Sequence, residues 1–158
     1  MKQERWRETI KLLKGNSALL GKDWELLWNL GWCYFKLERY AEAQRYLTKA
    51  TQLAPKNHAC KFALGSVFLK KKQYKKAESV LAEALRIKDL DLTRMSLAMA
   101  YQAQDKISQA ENTHLDGIKL KPKASERYAA YADFLADIGR EAESERMNRK
   151  AREVRRIN

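Results

Sequence analysis

Residues 29–57 read NLGWCYFKLERYAEAQRYLTKATQLAPKN, and residues 63–89 read ALGSVFLKKKQYKKAESVLAEALRIKD. A shift of 34 residues lays the second on the first. Leu30-Gly31 falls on Leu64-Gly65, Tyr40 on Tyr74, Ala43 on Ala77 and Ala50 on Ala84. A further step of 33 residues reaches Leu97-Ala98, Tyr101, Ala110 and Gly117, with Pro122 just beyond. A fourth, degenerate copy holds Tyr131-Ala132, Leu135, Gly139, Ser144, Ala151 and Val154. A self-similar period of this length marks a stacked-repeat architecture.

The periodicity inside one copy is helical. Leu27, Leu30, Tyr34 and Leu37, then Ala43, Leu47, Ala50 and Leu53, recur at three- and four-residue steps. Gly31, Ala43 and Ala50 are small enough for two antiparallel helices to approach closely, and Pro55 cannot continue a helix. The pattern predicts helices near 24–37, 41–53, 58–71, 74–87, 91–103, 107–120, 125–138 and 141–156. One such helix pair cannot bury its apolar face alone, so neighbours must stack.

This pattern resembles the tetratricopeptide repeat, whose positions are held in the first copy by Leu27, Leu30-Gly31, Tyr34, Ala43, Leu47, Ala50 and Pro55. The second copy matches through Leu64-Gly65, Phe68, Ala77, Leu81 and Ala84, with Asp89 in place of proline. The third departs further: Ala98 replaces glycine, His114 an apolar residue and Gly117 alanine, which is expected to loosen its packing. The resemblance implies an all-α, right-handed α-solenoid of antiparallel helix pairs. Four repeats are expected at 24–57, 58–90, 91–124 and 125–158, preceded at 1–23 by a capping helix and linker. That cap would present Trp6, Ile10 and Leu13 on one face, stop at Gly15-Asn16-Ser17, and run on through a short apolar piece, Ala18-Leu19-Leu20. At the other end, 141–156 begins acidic and ends basic, an order that suits the helix dipole and a solvent-facing cap.

The 158 residues fit one ordinary domain, and 45% hydrophobic residues suffice for a core. Six glycines and two prolines leave few tight turns for a many-stranded β fold. Cys33 and Cys60 lie in apolar helical stretches, as buried free thiols do. The charged start MKQERWRETIKLLKGN has no apolar core of a signal peptide, and no stretch approaches the apolar length of a membrane span. A cytoplasmic location is the expectation.

No catalytic constellation emerges. His58 and His114 stand apart, no phosphate-binding glycine loop or metal-ligand spacing appears, and Asp89 and Asp91 sit at a helix junction where they are expected to cap. The reading is a non-enzymatic chain with no cofactor, no metal and no small-molecule substrate. In the family the first helix of each pair lines a concave groove. Residues at matching places are Trp28, Trp32 and Phe35 with Lys36, then Phe62, Ser66 and Leu69 with Lys70, then Met95, Met99 and Gln102, and finally Ala129, Asp133 and Ala136. Aromatic and methionine side chains are binding anchors, so the groove is expected to take a protein or peptide partner. Competing occupants are the chain's own Trp6, Ile10 and Leu13, or a second copy in a homo-oligomer. Some family members clamp acidic chaperone tails with inner Lys, Asn and Arg. Here Trp28, Trp32, Ala63, Leu92 and Ser96 hold those places, so that role is not carried over.

The net charge of +12 is uneven. Residues 36–76 hold 11 Lys or Arg against 2 Asp or Glu, 77–145 hold 9 against 13, and 146–158 hold 6 against 1. Basic edges would steer a partner with acidic flanks. The alternative is a basic module docking on nucleic acid or an anionic surface. The run Lys70-Lys71-Lys72-Gln73-Tyr74-Lys75-Lys76 is its best support, but no known nucleic-acid fold accompanies it.

Overall fold

The computed structural model describes residues 2–15 and 22–157. Nine helices account for the regular structure among these residues, and no strand occurs. They are α1 (Lys2–Gly15), α2 (Trp24–Lys36), α3 (Tyr40–Leu53), α4 (His58–Lys70), α5 (Tyr74–Ile87), α6 (Asp91–Gln102), α7 (Ile107–Leu120), α8 (Ser125–Asp137) and α9 (Glu141–Ile157). From α2 onward every helix end lies within one residue of the sequence expectation. The expected stop at Asn16-Ser17 and the apolar piece Ala18-Leu19-Leu20 fall outside the described residues.

Two compact units form, Met1–Asp89 and Leu90–Asn158. In the first, α2 pairs with α3 and α4 with α5, while α3 and α2 pack on α4. Leu27, Leu30, Leu47, Val67 and Leu81 are buried. Each such side chain contributes about 1.5–3 kcal/mol of hydrophobic stabilisation. The Leu-Gly positions work as their spacing implied: a Cβ on Gly31 would lie 2.5 Å from Leu47 Cγ, and one on Gly65 2.6 Å from Leu81 Cγ. Asp23 caps α2 by accepting from the N–H groups of Glu25 (2.8 Å) and Leu26 (3.3 Å), and Asn57 caps α4 through Cys60 N–H (3.1 Å). Leu53, read as part of the buried stripe of α3, is 46% exposed in the helix's final turn. Cys33 and Cys60 are buried free thiols, and desolvation pushes the Cys60 thiol up to about 11.

Each helix pair closes on the same turn. Arg39 N–H donates to Tyr34 C=O, Gln73 to Phe68, Lys106 to Tyr101 and Arg140 to Leu135, a six-to-one bond that ends the first helix of the pair. The preceding residue takes positive φ each time: Glu38 (60°), Lys72 (56°), Asp105 (59°) and Gly139 (79°).

In the second unit α6 pairs with α7, α8 with α9, and α7 packs on α8. Its core holds Ala98, Ala110, Tyr131, Phe134 and Leu135. Two expectations fail here. Gly117 does not loosen α7, because a Cβ there would meet Arg94 Cδ at 2.7 Å: the buried Arg94 stem fills the space. The Arg94 guanidinium donates to Thr113 C=O (2.9 Å), and the buried Arg127 donates to Gly117 C=O. Nor does Asp91 cap α6. Leu90 is the N-cap residue, and the Asp91 carboxylate instead sits 2.6 Å from Arg127 Nε. A buried guanidinium needs a counter-charge more than a helix end needs a cap. A second polar cluster ties α7, α8 and α9, with Tyr131 Oη (2.5 Å) and Arg140 (2.7 Å) both donating to Glu111 while Arg140 also pairs with Glu143.

Candidate functional site

Because α2 starts at Trp24 behind its Asp23 cap, Trp28, Trp32 and Phe35 fall at steps of four and three on one face. The opposite face takes Leu27, Leu30 and Tyr34 into the core. The three aromatic rings form a ladder. Trp28 and Trp32 stack with centroids 6.0 Å apart and planes 5° from parallel, and Trp32 and Phe35 follow at 5.2 Å and 16°. All three are half-buried. Lys36 Nζ stands 4.8 Å from the Trp32 ring centroid, close enough for a cation–π contact.

Trp28 also has a structural duty. Its indole N–H donates to Ala59 C=O (3.1 Å), joining α2 to α4. A small cleft of about 230 Å³ opens there, lined by Trp24, Glu25, Trp28, Asn29 and Ala59. On α4, Phe62 is half-buried and stacks on His58 at 6.1 Å, Leu69 is half-buried, and Lys70 is exposed. Burial, then the charge of Lys88, holds the His58 imidazole below its ordinary pKa. Lys61 pairs with Glu83 at 2.5 Å and pulls that carboxyl below its usual range.

The N-terminal helix lies elsewhere on α2. Gln3, Arg7, Ile10 and Lys14 line a cavity of about 350 Å³ with Tyr34, Leu37 and Arg39. Lys14 Nζ stands 5.7 Å from the Tyr34 ring, whose hydroxyl raises the Lys14 pKa. Trp6, Ile10 and Leu13 are half-buried.

In the second unit Met95 (40% exposed) and Met99 (58%) open onto a separate cavity of about 410 Å³. Gln102, Ala103, His114, Ala130, Asp133, Phe134 and Asp137 complete its lining. Of the fourth-copy residues expected to line a groove, Asp133 lies here, whereas Ala129 and Ala136 do not. His114, Phe134 and Asp137 were not anticipated. The signal available was a four-residue step from Asp133 to Asp137 on one helix face. His114 is buried against Tyr131 (5.9 Å) and Phe134 (5.1 Å), and desolvation lowers its pKa to about 4.

Among the described residues no group of three or more His, Cys, Asp or Glu could hold a metal ion, and no helix is long and apolar enough to cross a membrane.

A model of the tetratricopeptide repeat matches residues 24–57, and a second model of that repeat matches 59–89. Among curated proteins none matches the chain. Solved structures of MamA proteins do. "MamA 41-end from Desulfovibrio magneticus RS-1" superposes with a TM-score of 0.80 at 21% identity, covering 97% of this chain and 87% of that one. An RS-1 MamA double mutant gives 0.79 at 22% identity, over 96% and 86%. MamA from AMB-1 gives 0.76 at 20% identity, over 99% and 94%. At such identities the likeness speaks for the fold, an all-α solenoid of helix pairs. The matched repeats coincide with α2–α3 and α4–α5, whose Leu-Gly positions make the close helix contacts the repeat requires. Residues 24–57 and 59–89 are thus two tetratricopeptide repeats.

Proposed function

We propose that the chain is a non-catalytic protein–protein interaction scaffold that receives a peptide or helix with apolar anchors on the aromatic face of α2. The observation that carries this reading is the half-exposed ladder Trp28–Trp32–Phe35. A core has no need of it, since Leu27, Leu30 and Tyr34 already fill that role on the other side of the helix. Aromatic rings offer large, rigid contact area at little entropic cost, which is why they recur as binding anchors. Phe62 and Leu69 extend the apolar surface on α4, and Lys36 and Lys70 supply basic edges for acidic flanks. In this reading α6–α7 and α8–α9 are the third and fourth repeats, 91–124 and 125–158. Residues 1–23 cap the first, and Met95 and Met99 form a second partner surface.

The test is a displayed random-peptide library selected on the full chain, with each enriched peptide then measured on Trp32→Ala. The expected loss is about 2 kcal/mol or more of binding, as at other buried aromatic anchors. Thermal unfolding should shift by only a few degrees, because Trp32 gives up two stacking contacts of about 0.5–1.5 kcal/mol each. Unchanged peptide affinity together with a large loss of thermal stability would overturn the reading. Sequence-independent binding with a steep salt dependence would instead favour the anionic-surface alternative.

A further inference from the structure

The cavity of the second unit has a chemistry of its own. Its walls are apolar where Met95, Met99 and Phe134 line it. Its charged groups are two carboxylates, Asp133 and Asp137, one helical turn apart on α8 and both exposed. No Lys or Arg is among the lining residues. This contrasts with the first unit, where residues 1–89 hold 19 Lys or Arg against 9 Asp or Glu, and with the second unit as a whole, where residues 90–158 hold 13 against 11.

The third ingredient is His114, only 8% exposed and reaching both this cavity and the narrow cleft beside it. Its ring is held by contacts with Tyr131 and Phe134. At neutral pH it is an uncharged imidazole, so one nitrogen accepts a hydrogen bond. Arg94 and Arg127 both line the neighbouring cleft, where Arg94 donates to Thr113 C=O, Arg127 pairs with Asp91, and Glu126 adds a further carboxylate. A volume of about 410 Å³ lies in the range of roughly 300–1,000 Å³ typical of ligand sites.

We propose that this cavity receives a basic side chain, arginine or lysine, from a peptide segment of a partner protein. The aliphatic stem would lie along Met95 and Met99, and the cationic head would meet Asp133 and Asp137. The uncharged His114 ring beside them adds no competing cation. The thioethers suit the stem because they are flexible and polarizable. An acidic or purely apolar side chain would leave the two carboxylates without a counter-charge. The inference rests on reading Met95 and Met99 as a partner surface. It does not depend on the aromatic face of α2.

The full chain carries four methionines, so methyl-13C-methionine labelling gives a sparse spectrum in which Met99 reports this site and Met95 reports it together with the adjoining cleft. The probe is acetyl-Leu-Arg-Leu-amide, titrated to 10 mM. Its isosteric citrulline analogue and acetyl-Leu-Glu-Leu-amide serve as neutral and acidic controls. The expected result is a saturable shift of the Met95 and Met99 resonances with the arginine peptide, at least tenfold weaker with citrulline and absent with glutamate. The variant D133N/D137N should lower arginine-peptide affinity by at least tenfold while leaving the thermal midpoint within a few degrees. Equal affinity for the arginine and citrulline peptides, no saturable shift, or an unaffected double variant would each overturn the proposal. Trp32→Ala should not alter this titration. A failure here is therefore distinguishable from a failure of the aromatic-face reading, which the library selection reads separately.

Discussion

A buried histidine ring packed against both Tyr131 and Phe134 has little to gain from a proton. Charging His114 would place a cation in a desolvated setting near Arg94, so the folded chain holds its pKa at about 4 against an ordinary value of 6.5. Between those values the unfolded chain binds more protons than the folded one. Stability from this group is therefore complete above about pH 6.5, falls as the pH drops toward 4, and changes no further below that. The ceiling is about 3 kcal/mol, since each pKa unit is worth about 1.4 kcal/mol. Urea unfolding at pH 7 and pH 4.5 should show the loss. His114→Phe keeps a ring against Tyr131 and Phe134 and removes the proton, so it should be the less pH-sensitive protein. Comparing the two chains is necessary because Glu83 and Glu143, whose carboxyls are held below their usual range by Lys61 and Arg140, also lose stabilisation as the pH falls. Equal pH slopes in the two proteins would show that His114 does not titrate as described.

Among the helices, α1 separates two readings of the N-terminus. It lines its cavity with Tyr34, Leu37 and Arg39, which lie off the Trp28–Trp32–Phe35 ladder. Deleting residues 1–15 should expose Tyr34 and Leu37 and cost roughly 2–4 kcal/mol for the lost burial of half-covered Trp6, Ile10 and Leu13. Peptide affinity at Trp32 should stay within about threefold. A rise in that affinity of tenfold or more would mean that the helix had been covering the ladder. The helices themselves were legible because the signals were local: Leu-Gly pairs, a terminating proline and a period near 3.6 need no knowledge of neighbours. The second unit's contents were less so. Nothing along the sequence marks Arg94 and Arg127 for burial, yet Arg94 fills the space at Gly117 and Arg127 meets the carboxylate of Asp91. A glycine in place of alanine looks like a defect along the sequence. Only the side chain that enters the space, 23 residues away, shows otherwise. The Met95–Asp137 cavity was half legible for the same reason: its methionines share one helix, while His114 and Phe134 come from two others.

For the molecule as a whole, charge and chemistry are divided between the units. The first is strongly basic and aromatic; the second is nearly neutral and carries the acidic cavity. Function in this account sits on side chains of the helices. The turns between paired helices carry none of it, and they share one backbone state, yet only Gly139 has the residue suited to positive φ. Glu38, Lys72 and Asp105 are exposed there, and a left-handed conformation costs an ordinary residue roughly 1 kcal/mol. The triple variant Glu38→Gly, Lys72→Gly, Asp105→Gly should gain about 1–3 kcal/mol, the sites being far enough apart in the chain to add. Calorimetry should show a melting temperature several degrees higher, with peptide affinity at both surfaces unchanged. A lower melting temperature would mean that these side chains make contacts that outweigh the strain. Fitness for purpose and robustness are thus written in different parts of this polypeptide, and an engineer could harden it against heat without redrawing what it recognises.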